Sequence, residues 1–284
     1  MKKIAISVES TADLSKELLK KYGMHVIPYT VLLGEESYLD GEITSSDIFD
    51  FVDKTKILPR TCAINDFQYE EYFSKILKKG YDAIIHLCLS SEMSSSCSNA
   101  IKASQKFENV HVIDSRNLST GIALLAIYAR QLADKGLNAE EVVEKVKARV
   151  PLVQASFVIY TLDYLHKGGR CSGLARFSAA ILRIKPQIVV SKGKMSPAKK
   201  YFGRRTQVIE QYCKDVLEQH PNPDLSIGFV THAQATPEMV EIAYKALKKR
   251  GFETIYETTA GATITSHCGP MTLGILFVDK EPTK

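Results

Sequence analysis

The stretch that most constrains the fold is an apolar run that stops abruptly at a cluster of hydroxyl residues. Residues 83–89 have the composition of a buried strand, and six serines lie within residues 90–98. A helical apolar pattern begins at Ala100. The order is therefore strand, tight turn and helix, which in an open α/β sheet places the serines at the carboxyl edge, where ligands bind. Free backbone N–H groups at this turn favour an anion, although serines also serve simply as helix caps.

Strand and helix patterns alternate through the first half of the chain. Strands are predicted at residues 3–8, 83–89 and 110–113, with a further extended run at 25–33 that leads through a turn at 34–36 to a short strand at 37–39. Helices are predicted at residues 14–22, 47–54, 67–79, 118–135 and 140–149, with a loop at 59–65. Asn65 is expected to cap the third of these helices and Asn138 the last. Alternation at this spacing favours a mostly parallel sheet with helices on both faces.

After Pro151 the pattern changes. Strands are predicted at residues 154–160, 186–191, 195–198, 225–230, 254–257 and 273–278, and helices at 175–184, 206–219 and 238–249. This order is typical of a second α/β unit with a mixed sheet. The sequence therefore predicts the α/β class with two lobes, residues 1–155 and 156–284.

Composition excludes several classes of protein. Of the 284 residues, 45% are apolar and 24% charged, which are globular values, and no run approaches the ~20 apolar residues that span a bilayer. The apolar run within residues 1–9 is too short for a signal peptide and is ended by the acidic Glu9. A cytoplasmic location is therefore expected. The six cysteines include no C-x-x-C pair and are expected to be reduced thiols. The sequence contains neither a zinc-ligand spacing nor an H-E-x-x-H motif, so no structural metal is predicted.

Motifs for nucleotide binding and for catalysis are incomplete. The chain contains neither G-x-x-x-x-G-K-[ST] nor G-x-G-x-x-G, and the pair Gly168-Gly169 follows a predicted helix instead of opening one. The nucleophile motif G-x-S-x-G is also absent. His267, in a predicted loop of small residues, and His232, at the end of a predicted strand, are the candidate catalytic histidines. A hydrolase therefore remains an open alternative.

Positive charge is concentrated in two places. Arg170 follows the glycine pair, where it is either a mobile cation for a ligand or a solvated charge at a helix end. A basic run over residues 192–205 ends in Arg204 and Arg205 and could bind phosphate or an acidic partner, or could be a solvated hairpin face. The net charge of +5 is small for this length, and no nucleic-acid partner is expected.

Seven short segments, in this order along the chain, resemble the DegV family, the bacterial fatty-acid-binding proteins that include the acyl-carrying subunit of fatty acid kinase. They are Ser10-Thr11-Ala12-Asp13-Leu14, Thr61 after Pro59, Leu89-Ser90-Ser91-x-x-Ser94, Val112-Ile113-Asp114-Ser115-Arg116, Leu162-Asp163-Tyr164-Leu165-x-Lys167-Gly168-Gly169-Arg170, Ile184-Lys185-Pro186 and His267-x-Gly269-Pro270. The resemblance extends over essentially the whole chain.

The resemblance implies that one long-chain fatty acid, such as palmitate or oleate, is held between the two lobes. Hydroxyls at Thr61 and Ser94, with Cys62 beside Thr61, are implied to bind the carboxylate. Arg170 and His267 are implied to lie near the head group and to serve the partner, and Arg204 of the basic run is assigned to the same head-group and partner region. The implied partner is an ATP-dependent kinase subunit that converts the bound acid to an acyl phosphate. The chain itself would be a carrier without catalysis or cofactor, with transient membrane contact.

The chain departs from the family pattern at four places, which affect the expected site. Glu9 replaces an aspartate, Cys62 replaces a serine, Ser95-Ser96 replaces Gly-Thr, and Met271 replaces a glycine. The second change removes one head-group hydroxyl, and the last two are expected to alter the cavity wall and acyl specificity. The alternative from the enzyme class is a serine hydrolase or acyltransferase using Ser94 and His267.

Overall fold

The structure is a computed structural model that describes residues 3–171, 173 and 184–281. The described strands, β1–β13, are Ile4–Glu9, His25–Ile27, Thr30–Leu33, Glu36–Leu39, Arg60–Cys62, Ala83–Cys88, Val110–Asp114, Val153–Val158, Lys185–Ser191, Lys194–Tyr201, Pro223–Ala233, Thr254–Thr259 and Thr272–Asp279. The described helices, α1–α10, are Lys16–Lys21, Ser45–Thr55, Asp66–Leu77, Ser96–Ser104, Thr120–Asp134, Ala139–Arg149, Asp163–Gly168, Arg205–Gln219, Pro237–Arg250 and Ala262–Cys268. Residues 175–183 of the helix predicted at 175–184 lie outside the described residues.

A parallel sheet forms the centre of the first half, with strand order β2-β1-β6-β7. Every residue of β1 and β6 is buried, as expected for strands that are covered on both faces. The predicted α/β class with a parallel sheet is confirmed. Asn65 and Asn138 each form a complete capping box at the start of α3 and α6, as their sequence positions predict.

The second half contains a mixed sheet with strand order β10-β9-β8-β13-β11-β12. Only the β11–β12 pair is parallel among the strand pairs described in this sheet. Helices α8 and α9 bury Tyr212, Val216, Met239 and Leu247 in a core shared with this sheet. The predicted mixed sheet is confirmed.

A small antiparallel sheet has the strand order β4-β3-β5. Its β4 confirms the short strand predicted at residues 37–39, whereas β5 is not predicted by the sequence. The extended run at 25–33 is two strands in different sheets, divided at Pro28, which has no N–H to continue a ladder. The predicted loop at 59–65 contains β5, in which Thr61 pairs with Val31 of β3. The predicted start of α1 is also wrong: Ser10–Ala12 is a 3-10 turn, and Ser15 caps a helix that begins at Lys16.

One apolar core joins the two halves of the chain. Ile6 of β1 and Ile85 of β6 belong to the same buried cluster as Phe157 of β8 and Leu276 of β13. Helix α5 contacts both sheets and is buried on nearly all sides. The predicted lobe boundary at residue 155 falls within β8, and the division into two lobes stays a prediction. Among the described helices, none has both the length and the apolar character needed to cross a membrane.

Candidate functional site

A largely apolar cavity of about 970 Å³, its open mouth included, is lined by residues from both halves of the chain. Leu89, Leu118, Phe157, Ile264 and Leu276 are among the apolar side chains of its wall. The wall also contains hydroxyls, an arginine and two histidines, His232 and His267, so the cavity suits a ligand with a long apolar part and a polar group.

Four of the predicted site residues, Thr61, Ser94, Arg170 and His267, line this cavity together. We call these four side chains the polar end. Thr61 lies on β5, Ser94 on the turn after β6, Arg170 after α7 and His267 on α10. Four segments that are distant in sequence therefore contribute to the polar end.

Ser94 is fixed by the turn between β6 and α4. Its backbone N–H donates to Ser90 O at 3.2 Å, and its Oγ accepts from Tyr29 OH and from Ser96 N, each at 3.1 Å. Helix α4 begins at Ser96, and its N-cap Ser95 makes no capping bond through its side chain. Ser94 thus lies beside the N-terminus of α4, where the backbone favours an anion.

Three other serines of the cluster hold the turn in place. Ser90 Oγ donates to Gly193 O at 2.7 Å, which fastens the turn to the β9–β10 hairpin. Ser91 Oγ donates to Asp114 Oδ2 at 2.6 Å, and Ser96 Oγ donates to Glu9 Oε1 at 2.8 Å. The cluster therefore presents Ser94 to the polar end and uses these three neighbours to hold the turn.

Thr61 and Cys62 face opposite sides of β5, because successive side chains of a strand alternate. Thr61 Oγ1 lies 2.9 Å from His267 Nε2 in the cavity wall, whereas Cys62 is exposed and is not among the lining residues. Arg204 is also exposed, as the N-cap of α8, and does not line the cavity. The structure therefore does not bring the predicted Cys62 and Arg204 to the polar end.

His267 belongs to α10 and not to a loop, so the sequence-based assignment was wrong. Two carboxylates from the first half fix the start of this helix. Asp13 Oδ1 accepts from Gly261 N at 2.8 Å, and Asp40 Oδ1 accepts from Ala262 N at 2.7 Å. Burial, assisted by the positive charge of Arg170, lowers the pKa of His267 to about 4, so the imidazole is neutral at pH 7.

The other ring nitrogen of His267 lies against the glycine pair. His267 Nδ1 is buried without a hydrogen-bond partner among the described residues, and a Cβ placed on Gly168 would lie 2.6 Å from it. Glycine at position 168 is therefore required for the imidazole to lie where it does. When Nε2 carries the proton, it donates to Thr61 Oγ1 and leaves the Thr61 hydroxyl proton free to donate to a ligand.

Arg170 is held by backbone carbonyls. Its Nη1 donates to Gly168 O at 2.6 Å and its Nε to Met93 O at 3.4 Å. Arg170 also lines a second cleft, which includes Arg60 and Lys167 and shares Thr61 and His267 with the cavity. We call this the outer cleft. It brings three positive charges to the mouth of the polar end.

The sequence did not point to the buried network behind Ser94. Glu9 accepts from Tyr69 OH at 2.5 Å, Leu89 N at 2.7 Å and Ser96 Oγ at 2.8 Å. Burial raises the pKa of Glu9 despite these bonds. A carboxyl group at the end of β1 next to a hydroxyl-rich turn was the available signal, but nothing in the local sequence identified its tyrosine partner.

Within the described part of the chain, Ser94 and His267 do not form a catalytic pair, and the one group of possible metal ligands is not in the protonation state that a metal requires. Ser94 Oγ bonds Tyr29 while His267 Nε2 bonds Thr61, so the Ser94–His267 contact that a hydrolase needs is not made. Glu9, His86 and Cys88 place possible ligand atoms within 4.8 Å of one another. Burial raises the pKa of Glu9 and Cys88 and thereby disfavours the deprotonated forms that a metal requires.

Comparison with known proteins places the chain in a family. The family model for uncharacterised proteins of the DegV family matches residues 3–280. A fatty acid-binding protein from Thermotoga maritima is 29% identical over 280 residues, covering 96% of each chain. A stearic acid-binding protein from Eubacterium ventriosum is 25% identical with a TM-score of 0.85, covering 99% of each chain.

The fold is shared at still lower identity. A DegV family protein from Thermus thermophilus has a TM-score of 0.90 at 24% identity, and the alignment covers 98% of this chain and 100% of that one. Fatty acid binding is thus a property of structurally similar members. The chain described here belongs to the DegV family.

Proposed function

We propose that this chain binds one long-chain fatty acid in the cavity and presents its carboxylate at the polar end to an ATP-dependent kinase subunit. The observation that carries the proposal is the convergence of Thr61, Ser94, Arg170 and His267 at one end of an apolar cavity. The carboxylate would become an acyl phosphate, and the chain would act as carrier and presenter. Its place of action would be the cytoplasm, with transient contact to membranes that supply the acid.

The apolar wall accounts for the affinity. Burying a tail of about 15 carbons contributes roughly 0.8 kcal/mol per CH₂, or about 12 kcal/mol before costs. Association and ordering oppose about half of this or more. The tail then determines how tightly the acid binds, and the polar end determines where its carboxylate lies.

Neutral donors suit a carboxylate that has to react. The hydroxyls of Thr61 and Ser94 can donate to it, and the low pKa of His267 keeps that ring uncharged at pH 7. The guanidinium of Arg170 already donates to two backbone carbonyls. We infer that the acid is positioned without a close salt bridge, which leaves its oxygen nucleophilic enough to accept a phosphoryl group.

The outer cleft supports the second half of the proposal. Arg60, Lys167 and Arg170 lie at the mouth of the polar end, where a phosphoryl donor would approach. Arg204, which is exposed on the N-cap of α8, is proposed as a contact on the partner surface and not as a ligand of the acid.

The test of the head-group assignment is the double variant Thr61→Ala with Ser94→Ala. We expect it to lower acyl-phosphate formation with a cognate kinase at least tenfold, because each lost hydrogen bond to a charged group costs about 1.5–3 kcal/mol. Ser98→Ala is the matched control, since Ser98 is exposed, does not line the cavity and donates its hydroxyl to Ser95 O. Full activity of the double variant would disprove the assignment of both hydroxyls.

The kinase role is tested separately at Arg170 and His267. Arg170→Ala and His267→Gln are expected to keep fatty acid binding, measured by native mass spectrometry, while lowering kinase turnover. Unchanged turnover in both single variants would remove these residues from the transfer site. Covalent labelling of Ser94 by a serine-directed phosphonate would instead support the hydrolase alternative.

A further inference from the structure

The cavity contains polar side chains besides those of the polar end. Ser119, Thr231 and Thr263 line it from the start of α5, from β11 and from α10, and each is at most 7% exposed. We call these three residues the inner polar patch. A saturated acyl chain has no group that could hydrogen-bond to them.

Thr263 is the exception among the buried hydroxyls of α10. Its Oγ1 has no hydrogen-bond partner among the described residues, although the side chain is only 3% exposed. On the same helix, Thr265 Oγ1 donates to Ala260 O at 3.2 Å and Ser266 Oγ donates to Ala262 O at 2.7 Å. Because a buried hydroxyl without a partner destabilises a protein, an unpaired one in a cavity wall indicates a ligand group that satisfies it.

The position of Thr263 relates the patch to the polar end. Thr263 and His267 are four residues apart on α10, so they lie on the same face, separated by about 6 Å along the helix axis. Both line the cavity. A ligand whose carboxylate is at the polar end therefore passes Thr263 within the first half of its chain.

Ser119 is held close to the N-terminal end of α10, where Thr263 lies. Its Oγ donates to Asp13 Oδ2 at 2.5 Å, and the other oxygen of Asp13 accepts from Gly261 N. Because a hydroxyl both donates and accepts, Ser119 Oγ keeps the capacity for a second hydrogen bond beside the one to Asp13. Its backbone, at φ 51° and ψ −142°, lies in a region that costs a non-glycine residue free energy, so the surrounding contacts fix it there.

We infer that the cavity takes a hydroxylated long-chain fatty acid, with Thr263 Oγ1 bonded to a hydroxyl group in the first half of the acyl chain. The inference rests on the proposed function and adds a substrate class to it. A hydroxyl group on the acyl chain can hydrogen-bond to both Thr263 and Ser119, because it is a donor and an acceptor, which a CH₂ is not. Thr263 is then a specificity-determining residue, and an unsubstituted acid leaves its hydroxyl unpaired.

The experiment compares palmitic acid with a series of monohydroxypalmitic acids substituted from C2 to C8, by displacement of a fluorescent fatty acid. At least one member is expected to bind the wild-type chain about 3- to 10-fold more tightly than palmitic acid does, the range of one added hydrogen bond. Thr263→Val is expected to abolish this preference and to bind palmitic acid at least as well as the wild type. Thr263→Ser, which keeps the hydroxyl, is expected to retain it.

Thr272→Val is the matched control. Thr272 lines the same cavity, but its Oγ1 donates to Cys268 O at 2.9 Å, so its loss should leave the preference unchanged. If palmitic acid binds and every hydroxy acid binds more weakly in both wild type and Thr263→Val, the inference is overturned and the proposed function stands. If neither palmitic acid nor any hydroxy acid binds the wild type, both are overturned.

Discussion

Asp13 links the two halves of the chain, and its substitution by asparagine tests whether its buried carboxyl controls stability. The carboxyl accepts from Ser119 Oγ and Gly261 N, and burial is the main cause that raises its pKa from 3.8 to about 8, with the nearby Asp40 as a smaller contribution. Asparagine keeps the size and an acceptor oxygen, and it tolerates the left-handed backbone at this position, φ 52°. Asp13→Asn therefore removes the titration with little change in shape.

The size of the pH effect on stability follows from the linkage between protonation and folding. Between about pH 4 and pH 8 the folded state holds a proton on Asp13 that the unfolded chain has released, so stability decreases as the pH rises through this window. The slope is about 1.4 kcal/mol per pH unit in the middle of the window and flattens near the folded pKa. Between pH 6 and pH 8 the wild type should lose about 2 kcal/mol that Asp13→Asn does not lose.

The assay is urea unfolding of both chains at pH 6, 7 and 8. The chain has 13 tyrosines and no tryptophan, so tyrosine fluorescence and far-UV circular dichroism are the two probes, and their coincidence justifies a two-state treatment. Asp50→Asn, which changes an exposed carboxylate on α2, is the control for altered net charge. An identical pH dependence for wild type and Asp13→Asn would refute the argument.

Three further substitutions test individual contacts. Gly168→Ala puts a Cβ 2.6 Å from His267 Nδ1, so it should displace the imidazole and lower kinase turnover while tail binding persists; equal turnover would show that the ring position is unimportant. Gly274→Ala puts a Cβ 2.5 Å from the backbone oxygen of Ser156, so it should destabilise the chain by about 1–3 kcal/mol in urea unfolding, and an unchanged midpoint would contradict the close packing of β13 on β8. Met271 has φ 62°, a left-handed backbone that costs a non-glycine residue roughly 1–2 kcal/mol. Met271→Gly relieves this strain, and the larger entropy of glycine in the unfolded chain offsets part of the gain, so the variant should be more stable by up to about 1 kcal/mol. A lower urea midpoint would show that the methionine side chain contributes more than the strain costs.

The sequence predicted the elements that have their own periodicity. The parallel strands β1 and β6 and the caps Asn65 and Asn138 are fixed by apolar runs and capping residues, which a local pattern shows directly. The strand–turn–helix junction at Ser94 was also evident, because an apolar run ended in hydroxyl residues.

Elements that depend on distant partners were missed. Strand β5 is three residues long and exists because it pairs with β3, about thirty residues earlier. Helix α10 is seven residues long, and the carboxylates of Asp13 and Asp40, more than 200 positions away, hold its first turn. No window of local sequence contains such contacts, so His267 was assigned to a loop.

Dependence on distant contacts also explains why the structure brings only some of the predicted site residues to the cavity. Residue types and family resemblance identified Thr61, Ser94, Arg170 and His267, which the structure brings to one cavity. Cys62 adjoins Thr61 in sequence, but the two residues lie on β5, a strand that the sequence does not predict. Because side chains alternate along a strand, Cys62 faces away from the cavity and is exposed. Tyr29, which bonds Ser94, had no signal of its own within an extended apolar run.

The central claim is that the cavity holds a fatty acid, and the most direct test is to look for the acid itself. The chain is purified under native conditions, weighed intact by native mass spectrometry, and then extracted with solvent for lipid analysis. We expect a stoichiometric long-chain fatty acid that is released on denaturation, and partial loss of it in a variant with Leu276→Asp in the cavity wall. A chain that carries no fatty acid and takes up neither palmitate nor oleate on addition would contradict the account.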